Sequence, residues 1–217
     1  MIDGYDISIL IMTLFLSVVL IYMGVFFFRF QQKRKFSFLQ EFPYELTTTI
    51  PVKMYPIYVG VGGLFSLGYI SMGFFLFPYP SVAMNLLLLI SWALTGMLLF
   101  LMFIIDMKEI KVHLLLDTLL FALSVLNYLL LATLMLITPY GNYPMPLIII
   151  GYVLALFPLA VALNPKLKSW AKMDEQLDSQ MAVVYVRPKA FVLAYSEWLL
   201  FLSNILFLIL AFIVQAI

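Results

Sequence analysis

Residues 82–105 read VAMNLLLLISWALTGMLLFLMFII, a run that contains no charged side chain. A helix rises about 1.5 Å per residue, so a run of about 20 apolar residues crosses a hydrocarbon core of about 30 Å. This stretch is therefore predicted to be a transmembrane helix. Pro78 and Pro80 precede it and Asp106 follows it, which marks its two ends.

Five further apolar runs lie on either side of this one. They predict transmembrane helices over about residues 7–28, 55–77, 114–137, 147–163 and 190–216. Hydrophobic residues make up 65% of the chain and charged residues 11%. Soluble domains have roughly 45–50% and 25%, so a water-soluble fold is excluded. The expected fold is an all-α, polytopic integral membrane bundle of about six helices, with residues 1–217 as a single transmembrane domain.

Positive charge is confined to alternate loops of this bundle. Every Lys and Arg lies within residues 29–54, 106–113 or 164–189, and the other two loops and both tails contain none. Loops rich in Lys and Arg remain in the cytoplasm. We therefore expect both termini outside and these three loops inside, in a cytoplasmic membrane of the bacterial type.

Two of the cytoplasmic loops are long enough to form structure of their own. Apolar residues recur every three or four positions among charged ones over about residues 165–181, which predicts an amphipathic helix on the inner membrane surface. Residues 182–186 are more typical of a strand. Residues 36–53 include Pro43 and Pro51 and show no helical period, so we expect an irregular segment at the membrane surface.

Two carboxylates interrupt otherwise apolar spans. Asp117 lies roughly 9 Å inward from Lys111, and Glu197 lies roughly 12 Å inward from Lys189, at 1.5 Å per residue. An acidic residue near the centre of a membrane helix costs about 2.5–3.5 kcal/mol, so such residues usually face the bundle interior and carry function. The alternative is that both reach the cytoplasmic interface and pair with Arg29, Lys111 or Lys189.

Three asparagines form a second candidate polar site. Asn85, Asn127 and Asn204 lie on three different spans, each roughly 6–8 Å below the outer surface. Their amides could bind a small polar ligand together. The other interpretation is that each forms a hydrogen bond between helices, worth on the order of 1 kcal/mol.

The second span carries a stripe of small residues, Gly62, Ser66 and Gly73. Small residues let helix backbones approach closely, so this stripe is a candidate helix-packing face, either inside the bundle or against a partner protein. Gly60, Gly62 and Gly63 do not form a dinucleotide-binding loop, because they lie in a membrane span rather than after a strand.

Familiar catalytic and cofactor patterns do not occur. The chain contains no cysteine, and its one histidine, His113, has no second histidine to complete a zinc or haem site. We expect His113 to be a solvated residue at the interface. Hydrolase, zinc-protease and phosphate-loop motifs are also missing. The expectation is a protein without catalytic, metal or cofactor sites and without a nucleic-acid partner.

Two functions remain open at this point. The leading interpretation is a non-catalytic integral membrane subunit of a larger complex, with a structural, assembly or translocation role, surrounded by lipid and in contact with other membrane subunits. The alternative is a small transporter or channel component that moves a small solute or cation, with Asp117 and Glu197 as coupling carboxylates. Gly151 and Pro158 interrupt the short fifth span, a feature found at substrate sites of transporters.

Overall fold

The computed structural model describes residues 4–75, 82–105, 110–137, 143–165, 174–177 and 183–216. Most of these residues are helical, and two short strands precede the last helix. In chain order the elements are α1 (Gly4–Gln32), α2 (Pro43–Thr48), α3 (Tyr55–Phe75), α4 (Val82–Ile104), α5 (Ile110–Ile137), α6 (Met145–Ala162), β1 (Asp174–Leu177), β2 (Val183–Val186) and α7 (Val192–Ala216).

Six of the described helices are long and apolar enough to span a membrane, namely α1, α3, α4, α5, α6 and α7. Each coincides with one predicted span, so the helical membrane class is confirmed. Two boundaries differ from the prediction in a way that affects the site. α1 continues beyond Arg29 to Gln32, and α5 begins at Ile110, one turn earlier than expected.

The spans pack in a bundle around α7. α3 lies between α1 and α4, α5 lies between α4 and α6, and α7 contacts α5, α6, α3 and α1. Aromatic side chains fill the space between these helices. The ring of Trp92 is centred 4.7 Å from that of Phe207, and Trp92 Nε1 donates a hydrogen bond of 2.7 Å to the Tyr69 carbonyl oxygen. This arrangement buries the polar edge of the indole with a partner, as a membrane interior requires.

The segment after α1 is inserted into one end of the bundle, so the prediction of an irregular surface segment is wrong for α2. Leu46 is fully buried, and a Cβ on Gly24 of α1 would lie only 2.6 Å from its Cβ. Pro43 occupies the first turn of α2, and the Glu45 carboxylate accepts a 2.7 Å hydrogen bond from the Phe42 amide. These are helix-start signals, since Pro loses no needed donor there and Glu satisfies a free amide.

The predicted surface helix over residues 165–181 is wrong for Asp174–Leu177, which form β1. β1 pairs antiparallel with β2, with Asp174 opposite Val186. The strand-like character of residues 182–186 is confirmed for Val183–Val186. β-branched residues favour this extended conformation, and an extended segment needs a partner for its backbone groups. Residues 166–173 and 178–182, including Trp170, lie outside the described part of the chain.

Candidate functional site

His113, Asp117 and Glu197 meet at the end of the bundle that α2 covers. His113 and Asp117 are four residues apart on α5 and so share one face of the helix, while Glu197 comes from the second turn of α7. Nε2 of His113 lies 2.8 Å from Oε1 of Glu197 and 3.3 Å from Oδ2 of Asp117. We refer to these three residues as the acidic cluster.

The acidic cluster is buried within the protein itself. The exposed fractions are 1% for His113, 4% for Asp117 and 0% for Glu197. The expectation of a solvated His113 is therefore wrong. Its ring packs edge-on against Phe42 and Tyr44, with centroid distances of 6.0 and 5.6 Å. His113 is enclosed because α5 starts a turn early and α2 folds over it.

Charge within the acidic cluster is not balanced by basic residues of the described chain. Arg34 pairs with Glu41, and Arg187 pairs with Glu45. The basic residues that could have anchored the two carboxylates at the interface (Arg29, Lys111 and Lys189) are exposed, and the ion pairs observed for Asp117 and Glu197 are with His113. With both carboxylates ionised, the site keeps a negative charge even when His113 is protonated.

Two carboxylate oxygens of the acidic cluster lack a hydrogen-bond donor among the described residues. They are Oδ2 of Asp117, which lies 3.3 Å from Nε2 of His113 without a hydrogen bond to it, and Oε2 of Glu197. The two carboxyl groups also lie within hydrogen-bonding reach of each other. A buried polar atom without a partner is costly, and a proton shared by the two carboxyls, a water or a cation would each supply a partner here. The ligand-capable atoms of the three residues all lie within 4.8 Å of one another, so a single cation can contact all of them.

A groove of about 480 Å³ adjoins the acidic cluster. It lies between α5, α6 and the start of α7, and its walls are largely apolar, including Phe121, Leu159 and Leu193. Asp117 also lines this groove and is the charged residue of its wall. Asp117 therefore borders both the buried cluster and a space that is large enough for a small molecule or a lipid chain.

The segment that covers the acidic cluster, residues 39–48 (the cover), is joined by hydrogen bonds to α7 and to the residues just before it. The Phe191 amide donates to the Leu39 carbonyl oxygen at 2.7 Å, and Trp198 Nε1 donates to the Glu41 carbonyl oxygen at 2.9 Å. Gln40 Nε2 donates to the Pro188 carbonyl oxygen at 3.1 Å. The segment before α2 and the segment before α7 therefore form one layer across this end of the bundle.

The structure separates the three asparagines into different contacts. Asn127 is buried between α4 and α5, where its Oδ1 accepts from Ser91 at 2.6 Å and its Nδ2 donates to Thr95 at 2.9 Å.

Asn204 lies on α7. Its Nδ2 donates to Ser124 at 2.9 Å, and its Oδ1 accepts from Tyr69 at 3.3 Å. Asn85, near the start of α4, is half-buried. Asn127 and Asn204 thus join helices in two separate networks rather than converge on one ligand.

The stripe of small residues on α3 faces α4. A Cβ on Gly62 would lie 3.1 Å from Phe100, and a Cβ on Gly73 would lie 3.1 Å from the Trp92 indole. Ser66 donates a 2.7 Å hydrogen bond to the Gly96 carbonyl oxygen of α4. The stripe is therefore a packing face within the bundle.

No protein-family model, curated protein or solved structure matches this chain. The class of the molecule rests on its six apolar helices, which are those of a multi-pass membrane protein. The sequence singled out Asp117 and Glu197 as a pair, and the structure brings them together. The sequence analysis treated His113 as a solvated residue at the interface, although the spacing of four residues between His113 and Asp117 was a signal for a shared site.

Proposed function

We propose that this protein is a small transporter or channel component in which the acidic cluster binds a cation. One observation carries the proposal: two buried carboxylates meet at His113, and neither pairs with a Lys or Arg of the described residues. Ionisable residues within membrane helices commonly mark ion and proton pathways, because their cost of burial is retained only for a function.

The proposed orientation places the acidic cluster at the cytoplasmic end. Residues 29–54, 106–113 and 164–189 contain all the Lys and Arg residues, and positively charged loops stay inside. His113 lies at the inner end of the fourth span, next to one of these loops. A cation would then enter or leave the cytoplasm beneath α2, and the groove beside Asp117 would hold the transported solute.

The alternative, a non-catalytic subunit of a larger membrane complex, has less support. One argument for it was the small-residue face on α3, and that face is occupied by α4 through Phe100, Gly96 and Trp92. The subunit function remains a prediction, and purification in mild detergent tests it by asking whether stoichiometric partners accompany the chain.

Charge movement in proteoliposomes tests the transport proposal. Liposomes that contain the protein are adsorbed on a solid-supported membrane and exposed to steps in proton or metal-ion concentration. We expect transient currents for the wild type, and their loss in Asp117→Asn and Glu197→Gln, which keep side-chain size but remove the charge.

A matched control is Asp6→Asn, which makes the same chemical change at a buried carboxylate of α1 outside the acidic cluster. This variant should retain the wild-type currents. Equal currents in all four proteins, or no currents with any cation, would refute the proposal.

A further inference from the structure

We infer that the cation of the acidic cluster is a divalent transition-metal ion held by His113, Asp117 and Glu197. The inference identifies the cation of the proposed function and in that respect rests on it. Binding itself can be measured without transport. The first support is the donor set. One imidazole nitrogen and two carboxylate oxygens suit Zn²⁺, Mn²⁺ or Fe²⁺, whereas Ca²⁺ and Mg²⁺ prefer oxygen ligands alone.

Charge gives the second support. A metal-bound histidine is neutral, so two carboxylates and a divalent ion together have no net charge. A monovalent ion bound by the same neutral histidine would leave a negative charge at a site where Asp117 is 4% and Glu197 0% exposed. Burial of an unbalanced charge is costly, and a divalent ion removes that cost.

Distances within the acidic cluster give the third support. Two ligands bound at about 2.1 Å in a tetrahedral site are about 3.4 Å apart. Nε2 of His113 is 3.3 Å from Oδ2 of Asp117 and 2.8 Å from Oε1 of Glu197, and all three ligand atoms lie within 4.8 Å. Small side-chain adjustments therefore suffice to surround one ion.

The unpartnered oxygens point to the same conclusion independently of spacing. Oδ2 of Asp117 and Oε2 of Glu197 lack a donor among the described residues, and each is a carboxylate oxygen that a metal ion can use. His113 and Asp117, four residues apart, are held on one face of α5, an arrangement that also serves helical zinc ligands.

Three protein ligands leave a coordination position open. Structural zinc sites are usually closed by four protein ligands, whereas sites with three keep a position for water or substrate. Asp117 lines the groove, so one of the three ligands borders accessible space. The ion is therefore exchangeable, as transport of a metal ion or coupling to one requires.

Metal titration of the purified chain tests the inference. Because His113 is the only histidine in the chain, the affinity tag must contain no histidine, and any imidazole ligation then reports on His113. Zn²⁺ binding is measured by calorimetry, and bound metal is counted by elemental analysis. Co²⁺ replaces Zn²⁺ as a spectroscopic probe of coordination.

We expect one Zn²⁺ or Co²⁺ per wild-type chain, with an excess of Mg²⁺ or Na⁺ unable to compete. Asp117→Asn, Glu197→Gln and His113→Gln should each weaken binding by about 100-fold, while the Asp6→Asn control should bind as the wild type does. His113→Cys should still bind Co²⁺ and should gain a thiolate-to-cobalt absorption band, because a thiolate is itself a metal ligand.

A folded wild-type chain that binds neither ion would overturn the inference, and so would unchanged stoichiometric binding in the Asp117→Asn, Glu197→Gln double variant. The absorption band of His113→Cys separates ligation from a purely structural role of His113. Metal binding without currents in proteoliposomes would refute the proposed function and leave this inference intact. Currents driven by protons in a chain that binds no metal would refute this inference and leave the proposed function intact.

Discussion

Arg187 donates a hydrogen bond of 2.8 Å from Nη1 to Oε2 of Glu45, and so fastens the segment before α7 to the first turn of α2. The same nitrogen donates to the Gln40 carbonyl oxygen at 3.1 Å. The guanidinium also lies over the rings of Phe42 and Phe191, 5.6 and 5.8 Å from their centroids. One side chain thus holds together the two segments that cover the acidic cluster.

Loss of this contact should loosen the cover without unfolding the bundle. Arg187→Met keeps the aliphatic stem but removes the charge, and should lower the free energy of unfolding by about 1 kcal/mol, since the pair is partly exposed and charged hydrogen bonds contribute modestly there. Amide hydrogen exchange should become faster across residues 39–48. Lys189→Met, a change at an exposed cation of the same segment, should leave that exchange unaltered.

The hydrogen bond between Arg187 and Glu45 should also persist at alkaline pH. Burial lowers the pKa of Arg187, but the hydrogen bond and charge of Glu45 outweigh it, and the net pKa is raised above the ordinary value. Stabilisation by a group with a raised pKa is complete below its unfolded-state pKa, which for arginine lies far above neutral pH. Exchange in residues 39–48 should therefore be equally protected from neutral to moderately alkaline pH, once corrected for the intrinsic rate.

Gly24 marks the closest approach between α1 and α2. Gly24→Ala should destabilise the protein by about 1–3 kcal/mol, because the added Cβ would lie 2.6 Å from Leu46 Cβ and force the helices apart. Gly60→Ala on α3 is the matched control, since a Cβ there meets nothing within 4 Å. The control should be neutral or slightly stabilising through its better helix propensity. Thermal unfolding in detergent that ranks the two variants equally would contradict this packing.

The two asparagine networks should behave independently. Asn204→Ala and Ser124→Ala remove partners of one hydrogen bond, so their effects on unfolding should depart from additivity by about 0.5–3 kcal/mol. Asn127 forms hydrogen bonds with different partners, Ser91 and Thr95. The effect of Asn127→Ala should therefore add to that of Asn204→Ala. Strong coupling between Asn127 and Asn204 would instead favour the single polar site that the sequence allowed.

Absence of cysteine makes the orientation easy to test. Single cysteines at Ser8, Ser81 and Ser179 are exposed to an impermeant maleimide in intact cells. Ser8→Cys and Ser81→Cys should react, and Ser179→Cys should react only after permeabilisation, because its loop contains Lys and Arg. Reaction of Ser179→Cys in intact cells would reverse the proposed topology and place the acidic cluster outside.

The sequence predicts the six spans and the two acidic residues because both signals are local. An apolar run such as residues 82–105 has few structures available to it in a membrane. The environment of His113 depends on α2, which folds back from a different part of the chain, so its burial could not be predicted from neighbouring residues. The same is true of β1, whose strand conformation follows from pairing with β2.

The connection between residues 39–45 and 187–191 has a consequence for biosynthesis. Leu39, Gln40 and Glu45 leave the ribosome early, but Arg187, Phe191 and Glu197 emerge only with the final span. During synthesis, α2 can pack against α1 and α4 before α7 is made, but the acidic cluster then lacks one of its three residues. Insertion of α7 completes the cluster and joins the cover to this helix, so an assembly intermediate with five spans has an incomplete acidic cluster at this end of the bundle.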